Sequence, residues 1–328
     1  MKFFDSHAHL DDEKFNEDRE ELLEQIYREG IEKFVSAGYN IESSKKSIEL
    51  SKKYNFIYST CGISPNDIPQ AEEEELWKML DEIREIAREN QKVVAIGEIG
   101  LDYHWNTENK ELQKKAFMEQ IKIANDLQLP IQIHTREAVM DTLEILKKNP
   151  VNKKGIFHCC PLNRELVKEG LKLGFYISFA GPITFKNSKN ANEMIEMVPK
   201  DKMLIETDSP YLSPEPLRGR RNDPRNVKYI AQKIAEVKKI SLEEVANVTY
   251  QNAEKIFRNI GIKIKITRAR ICALILTFYF KFLKASILSS VLGCVDQILE
   301  VFFLPSLVSF LKGFTTYILA VAEFAVSN

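Results

Sequence analysis

The sequence predicts an α/β chain folded as a (β/α)8 TIM barrel, with a hydrophobic extension at its carboxyl end. Three observations carry that expectation. Short β-branched or aromatic runs alternate eight times with amphipathic stretches over about 260 residues, the count and size of such a barrel. No GxGxxG or phosphate-binding loop follows the first run, which counts against the competing doubly wound sheet. Histidines and carboxylates recur where the runs end, and in a barrel those ends converge on one mouth.

The first strand is expected at Lys2–His7, where Asp5, His7 and His9 are spaced by two and so share one face. A helical pattern over Glu17–Arg28 leads to a second strand, Glu32–Ala37, and Ser43–Lys53 leads to a third, Phe56–Gly62. Glu72–Glu89 then precedes Val93–Glu98, a strand ending in Gly97-Glu98-Ile99-Gly100. Glu111–Leu127 precedes Ile131–His134, and Ala138–Lys148 precedes Gly155–His158. Phe175–Phe179 and Met203–Glu206 complete the eight, with Asp208 just past the last. A closing helix begins at Ser241, whose hydroxyl and Glu244 form a capping box.

Composition bounds the function. With 44% hydrophobic and 28% charged residues in 328, the chain is globular, neither disordered nor collagen-like. Lys+Arg number 46 against 47 Asp+Glu, so no global charge advertises a polyanion partner. Five cysteines form no CxxC pair, which points to a reducing compartment, and no apolar leader develops after Met1. The expected location is cytoplasmic. The averages hide a break near Gly261: residues 1–261 carry 39 basic and 44 acidic residues, net −5, whereas 262–328 carry 7 and 3, net +4. We therefore divide the chain into a barrel, 1–261, and an apolar, basic-led tail, 262–328. Charges at Lys281, Lys284, Asp296, Glu300 and Lys312 keep the tail's apolar runs too short for a confident membrane span. Three readings of it compete: a membrane-associated hairpin, a partner-binding helix, and a non-native extension.

Four of the five histidines fall at expected strand ends: His7, His9, His134 and His158 end strands one, five and six or lie just beyond them. Glu98 and Asp208 join them from strands four and eight. A lone HxH is weak evidence of a metal. Six metal-competent side chains at one mouth exceed a mononuclear site, and a dinuclear centre with a bridging carboxylate accounts for them. Imidazole with carboxylate suits Zn, Mn, Fe or Ni, while Mg favours an oxygen-only set. The alternative is a set of polar caps that bind nothing.

These stretches together resemble the TatD-type metal-dependent deoxyribonucleases. The matching segments are Asp5-Ser6-His7-Ala8-His9-Leu10, Gly97-Glu98-Ile99-Gly100-Leu101-Asp102-Tyr103 and Ile133-His134-Thr135-Arg136. They continue with His158-Cys159, Gly174-Phe175-Tyr176-Ile177-Ser178, Glu206-Thr207-Asp208-Ser209-Pro210-Tyr211, and Arg218-Gly219 leading to Asn222 and Pro224. The resemblance covers roughly residues 2–258. It implies two divalent ions per chain: one on His7, His9, Glu98 and Asp208, the other on Glu98, His134 and His158, with Glu98 bridging. One departure stands out. The family commonly has His-Pro after the third strand, where this chain reads Ser64-Pro65.

The activity so implied is hydrolysis of DNA phosphodiesters, exonucleolytic on single strands or ends and without sequence preference. Asp208 would accept the proton of the attacking water, and Glu206 would orient water or a sugar hydroxyl, or form a buried polar layer. Arg136 would contact an oxyanion, as would Arg218 within a cluster with Arg220, Arg221 and Arg225, with a solvated basic loop as the competing reading for Arg220 and Arg221. Tyr103, His104 and Trp105 offer rings for stacking on a base, although packing over the mouth competes for Trp105. Cys159 and Cys160 read as small buried residues rather than nucleophiles. Two alternatives remain: an esterase acting on D-aminoacyl-tRNA with the same centre, and a non-catalytic barrel tethered by the tail.

Overall fold

In the computed structural model the described residues are 1–68, 73–105 and 107–257. Eight strands form one parallel sheet in the order of the sequence: β1 (Phe3–Ala8), β2 (Ile31–Ser36), β3 (Ile57–Cys61), β4 (Val93–Asp102), β5 (Ile131–Arg136), β6 (Gly155–Phe157), β7 (Tyr176–Phe179) and β8 (Met203–Ile205). Beyond the last strand the ring is drawn together by backbone bonds. The Asp208 amide donates to the His7 carbonyl at 3.0 Å, and the His9 amide to the Ser209 carbonyl at 2.7 Å. This is the (β/α)8 barrel that the alternation predicts.

Seven strands end within two residues of the expected positions, but β4 does not stop at Glu98. It continues through Asp102, pairing Gly100 with His134 and Asp102 with Arg136 after a register shift between Ile96 and Ile99. Glycine makes this continuation feasible. At Gly100 (φ +141°) a Cβ would lie 1.9 Å from the His134 carbonyl oxygen, so only glycine admits so close a neighbour. Glu98 therefore stands in the irregular middle of a long strand.

The helices are α1 (Arg19–Arg28), α2 (Ile41–Lys53), α3 (Glu73–Glu89), α4 (Lys110–Leu127), α5 (Val139–Lys148), α6 (Arg164–Lys172), α7 (Ala191–Met197), α8 (Val227–Lys238) and α9 (Leu242–Phe257). In α3, Leu76, Leu80, Ile83 and Ala87 are buried at helical spacing and turn one stripe to the sheet. Ser241 caps α9, its hydroxyl accepting from the Glu244 amide at 3.1 Å. A second apolar cluster joins Phe4, Val35, Val94, Ile156 and Leu204 of the strands to Ile256 and Phe257 of α9. That layer closes the barrel at the strands' amino ends, which leaves the carboxyl ends as the mouth. Glu72 and the tail, 262–328, lie outside the described residues. Among the described residues no helix is long and apolar enough to cross a membrane.

Candidate metal centre

The six predicted side chains meet at the mouth. The His7 and His9 Nε2 atoms are 3.2 Å apart, and Asp208 Oδ1 lies 3.6 and 3.3 Å from them. Glu98 Oε2 faces the same pair at 3.5 and 3.7 Å. Its other oxygen, Oε1, lies 2.8 Å from His134 Nδ1 and 3.2 Å from His158 Nε2, and those two nitrogens are 3.4 Å apart. One carboxylate thus divides its oxygens between two pairs of imidazoles. Compatible ligand atoms also group as His7–His9–Asp208 and as His7–Glu98–His158.

Each ring's remaining nitrogen has an acceptor. His7 Nδ1 pairs with Gln132 Oε1 at 3.1 Å, and His9 Nδ1 with the Ala37 carbonyl at 3.1 Å. His134 Nε2 pairs with Asp102 Oδ2 at 2.9 Å, and His158 Nδ1 with Glu206 Oε1 at 3.3 Å. Those partners take a ring N–H outward, which turns the four inner nitrogens toward Glu98 and Asp208. There the inner nitrogens either carry protons that bond to the carboxylates or, without protons, offer lone pairs to cations, so the donors fit divalent metal ions.

Electrostatics agree. Burial opposes ionisation of Glu98, but the charge of His158 and hydrogen bonds from the surrounding imidazoles hold its carboxyl well below the usual range. Burial likewise opposes Asp208, which the hydrogen bond and charge of His9 lower with help from His158. The histidines move oppositely. Burial pushes His9 down, yet Asp208 and Glu98 raise it to about 9, while Glu98 and Glu206 lift His158 well above its ordinary value against the same burial. Protons on these rings supply the positive charge that metal ions supply when bound.

Backbone conformation aims two of these residues. Asp208 has φ 54°, in the left-handed region that costs a residue with a Cβ roughly 1 kcal/mol or more. Its amide on His7 and its carbonyl, which accepts from the Tyr211 amide at 2.9 Å, hold it there. Cys159, at φ 37°, follows His158 and donates its amide to Glu206 Oε1 at 2.5 Å. Burial pushes both the Cys159 and Cys160 thiols up, so neither supplies a thiolate near neutral pH.

Asp5, which shares a strand with the two histidines, serves the backbone: its carboxylate accepts from the His7 amide (3.2 Å) and from the Thr207 amide (3.0 Å) and hydroxyl. The β1–β2 register is irregular between Asp5 and Ala8. Of the two readings of Glu206, the structure favours the buried polar layer and corrects the expectation of a substrate contact. Glu206 is fully buried, and its oxygens serve His158, the Cys159 amide and Ser6, so it positions His158 rather than orienting water or sugar.

The rim is looser. Arg136 is exposed, with its guanidinium 5.2 Å from the centre of the Trp105 ring, and Arg218 lies similarly over Phe185 at 4.2 Å. Tyr103 is half-buried and donates its hydroxyl to Asp141 at 2.7 Å. The arginine cluster after β8 divides: Arg221 is bound to Asp18 and Arg225 to Asp223, both structural pairs, while Arg220 is exposed. Ser64 is buried and donates its hydroxyl to Asp67 at 2.7 Å. Sequence reasoning missed Asp102 and Gln132 as ring holders. A lone amide within Ile131-Gln132-Ile133 was the available signal for one, and the polar end of the Gly97–Tyr103 segment for the other.

The family described as TatD related DNase matches residues 4–258. YabD of Bacillus subtilis, described as an uncharacterized metal-dependent hydrolase, is 43% identical over 257 residues, spanning 78% of this chain and 98% of its own. YcfH of Escherichia coli K12, described in the same words, is 35% identical over 264 residues, spanning 78% of this chain and 96% of its own. Among solved structures, YjjV, a TatD homolog from Escherichia coli K12, superposes with a TM-score of 0.73 at 26% identity over 78% of this chain and 98% of that one.

Proposed function

The chain belongs to the TatD-related DNase family of metal-dependent hydrolases, and from that premise we propose that it is a deoxyribonuclease with a dinuclear metal centre. One observation carries the reading: four imidazoles, each tied outward to its own acceptor, turn their inner nitrogens onto a carboxylate that divides its oxygens between them. His7, His9, Glu98 and Asp208 would hold one ion, and Glu98, His134 and His158 the other. Metal ions held by these residues would supply an acidified water and neutralise charge developing on a phosphodiester.

The chain's own groups do the rest. Asp208 is held as an anion, the state in which a carboxylate accepts the proton of an attacking water. Asp102, Glu206, Gln132 and the Ala37 carbonyl fix ring orientation and keep the inner nitrogens free of protons once cations are bound. Arg136 and Arg218 stand exposed, where they can meet phosphate oxygens. Among the described residues no side chain at this mouth suggests readout of base identity, which favours strand ends or single strands over a defined duplex sequence.

The test is metal analysis of the purified chain together with digestion of 3′-labelled and 5′-labelled oligonucleotides. A chelator-sensitive ladder from one end supports the exonuclease. No cleavage of any oligonucleotide by the metal-loaded chain, with turnover of a D-aminoacyl-tRNA ester instead, would overturn it.

A further inference from the structure

Among the described residues six large apolar side chains stand exposed: Met1, Tyr27, Trp105, Met140, Tyr211 and Leu212. Four of these sit on segments that directly follow β4, β5 and β8, at the end of the barrel that holds the cage. Trp105 is the largest and is 67% exposed, so it does not pack down over the mouth.

Its position is nevertheless fixed. The His104 and Trp105 amides both donate to Asp102 Oδ1, at 2.8 and 3.0 Å, while Asp102 Oδ2 holds His134. The turn carrying the indole is thus anchored on the same carboxylate that orients a ring of the cage. The His104 ring meets the indole edge-on at 4.7 Å, and the Arg136 guanidinium lies over it. Arg136 has no ion pair among the described residues, because the neighbouring carboxylate of Glu137 is bonded to His104 Nδ1 at 2.7 Å.

An anchored, exposed indole beside an unpaired guanidinium offers a flat π surface and a planar fork for oxyanions. An unpaired nucleotide matches both, since its base has a free face and its phosphate lies a few ångströms away. We infer that Trp105 and Arg136 form a nucleotide subsite. The indole stacks on an unpaired base flanking the cleaved bond, and Arg136 contacts an adjoining phosphate. This rests on the nuclease reading and adds to it a structural reason for preferring unpaired strands.

The test uses the full chain and two substrates: a short single-stranded oligonucleotide, and a copy whose residues flanking the cleaved bond lack bases. Trp105→Ala should lower kcat/KM on the intact strand by about 5- to 100-fold, mainly through KM. It should change the base-free copy by less than about twofold, and Trp105→Phe should retain most of the activity. Binding has its own readout. The chain has two tryptophans, so Trp77→Phe leaves Trp105 alone to report. Its emission in metal-free protein should be quenched by the intact oligonucleotide and not by the base-free copy.

Equal losses on both substrates, or no loss on either, would overturn the subsite while leaving the nuclease intact. Quenching without cleavage of any oligonucleotide would sink the nuclease reading and support the binding site. Neither cleavage nor quenching would overturn both.

Discussion

The cage and its rim sit within a few residues of each other and are built on opposite principles. In the cage each imidazole nitrogen has a partner, and the partners are buried side chains or backbone carbonyls drawn from β1, β4, β5 and the segments after β2, β6 and β8. At the rim Arg136, Arg218 and Trp105 are exposed, with the two guanidinium groups lying over aromatic rings and the indole edge-on to His104. The difference separates the two tasks of the site. Chemistry needs donors held to fractions of an ångström, whereas the nucleic-acid substrate proposed above would need a charged, stackable surface that tolerates many bases.

The largest effect expected from breaking this contrast is at Asp208. Asp208→Asn keeps the shape and one ligating oxygen but removes the basicity, so turnover should fall by about 10²–10⁴-fold with much of the metal retained. His134→Ala removes a ligand instead, and its activity should partly return at high metal concentration. Metal titration of both variants separates the roles. Full rescue of Asp208→Asn would reduce that residue to a ligand.

A smaller effect belongs to the ring holders. Asp102→Asn and Glu206→Gln should each weaken metal affinity by roughly 10- to 100-fold, the usual cost of losing an outer partner. Arg136→Ala and Arg218→Ala should leave metal affinity unchanged and raise KM. Competition with a fluorescent chelator reads the first pair, and oligonucleotide kinetics the second. An equal loss of metal affinity in the rim variants would erase the distinction between cage and rim.

Metal removal should expose the charge balance of the cage. His9 is raised from an ordinary value of 6.5 to about 9 by Asp208 and Glu98, against burial. Stability from that shift is fully present below pH 6.5 and is lost as pH rises through about 9. Metal-free protein should therefore lose on the order of 1–3 kcal/mol between pH 6.5 and 9.5, visible as a falling Tm. With metal bound, the same window should be nearly flat. A rising Tm for the metal-free chain would mean that the imidazoles are neutral without metal.

The smallest effect should come from the tail. The family match ends at residue 258, and the residues of the cage and rim all precede it. A chain ending at residue 261 should keep its solubility, and its activity to within about twofold. Inactivity of that truncated chain beside an active full chain would make the tail part of the enzyme.

The same contrast explains what could be read from the sequence. Barrel order was readable because strand and helix periods differ, and the six cage residues because histidine and carboxylate recur at strand ends. The continuation of β4 was hidden: Gly97 and Gly100 read as a strand's end, although Gly100 is what lets β4 run beside the His134 carbonyl. The part Asp5 plays, accepting from the His7 and Thr207 amides, was hidden because its partner Thr207 lies about 200 residues away. Arg221 was grouped with the phosphate contacts because its pairing with Asp18, about 200 residues away, cannot be seen along the chain. Asp102, Gln132 and Glu206 act through other side chains, and no spacing rule encodes that.

The central claim is that Glu98 divides one cage into two half-sites, and metal stoichiometry tests it most directly. Metal-free full chain should be titrated with Mn²⁺ or Zn²⁺ and the bound ion measured by inductively coupled plasma mass spectrometry after gel filtration. The account predicts close to two ions per chain, falling to about one in His134→Ala as the half-site of His7, His9 and Asp208 persists. A single ion in the unaltered chain, still bound after His134→Ala, would contradict it.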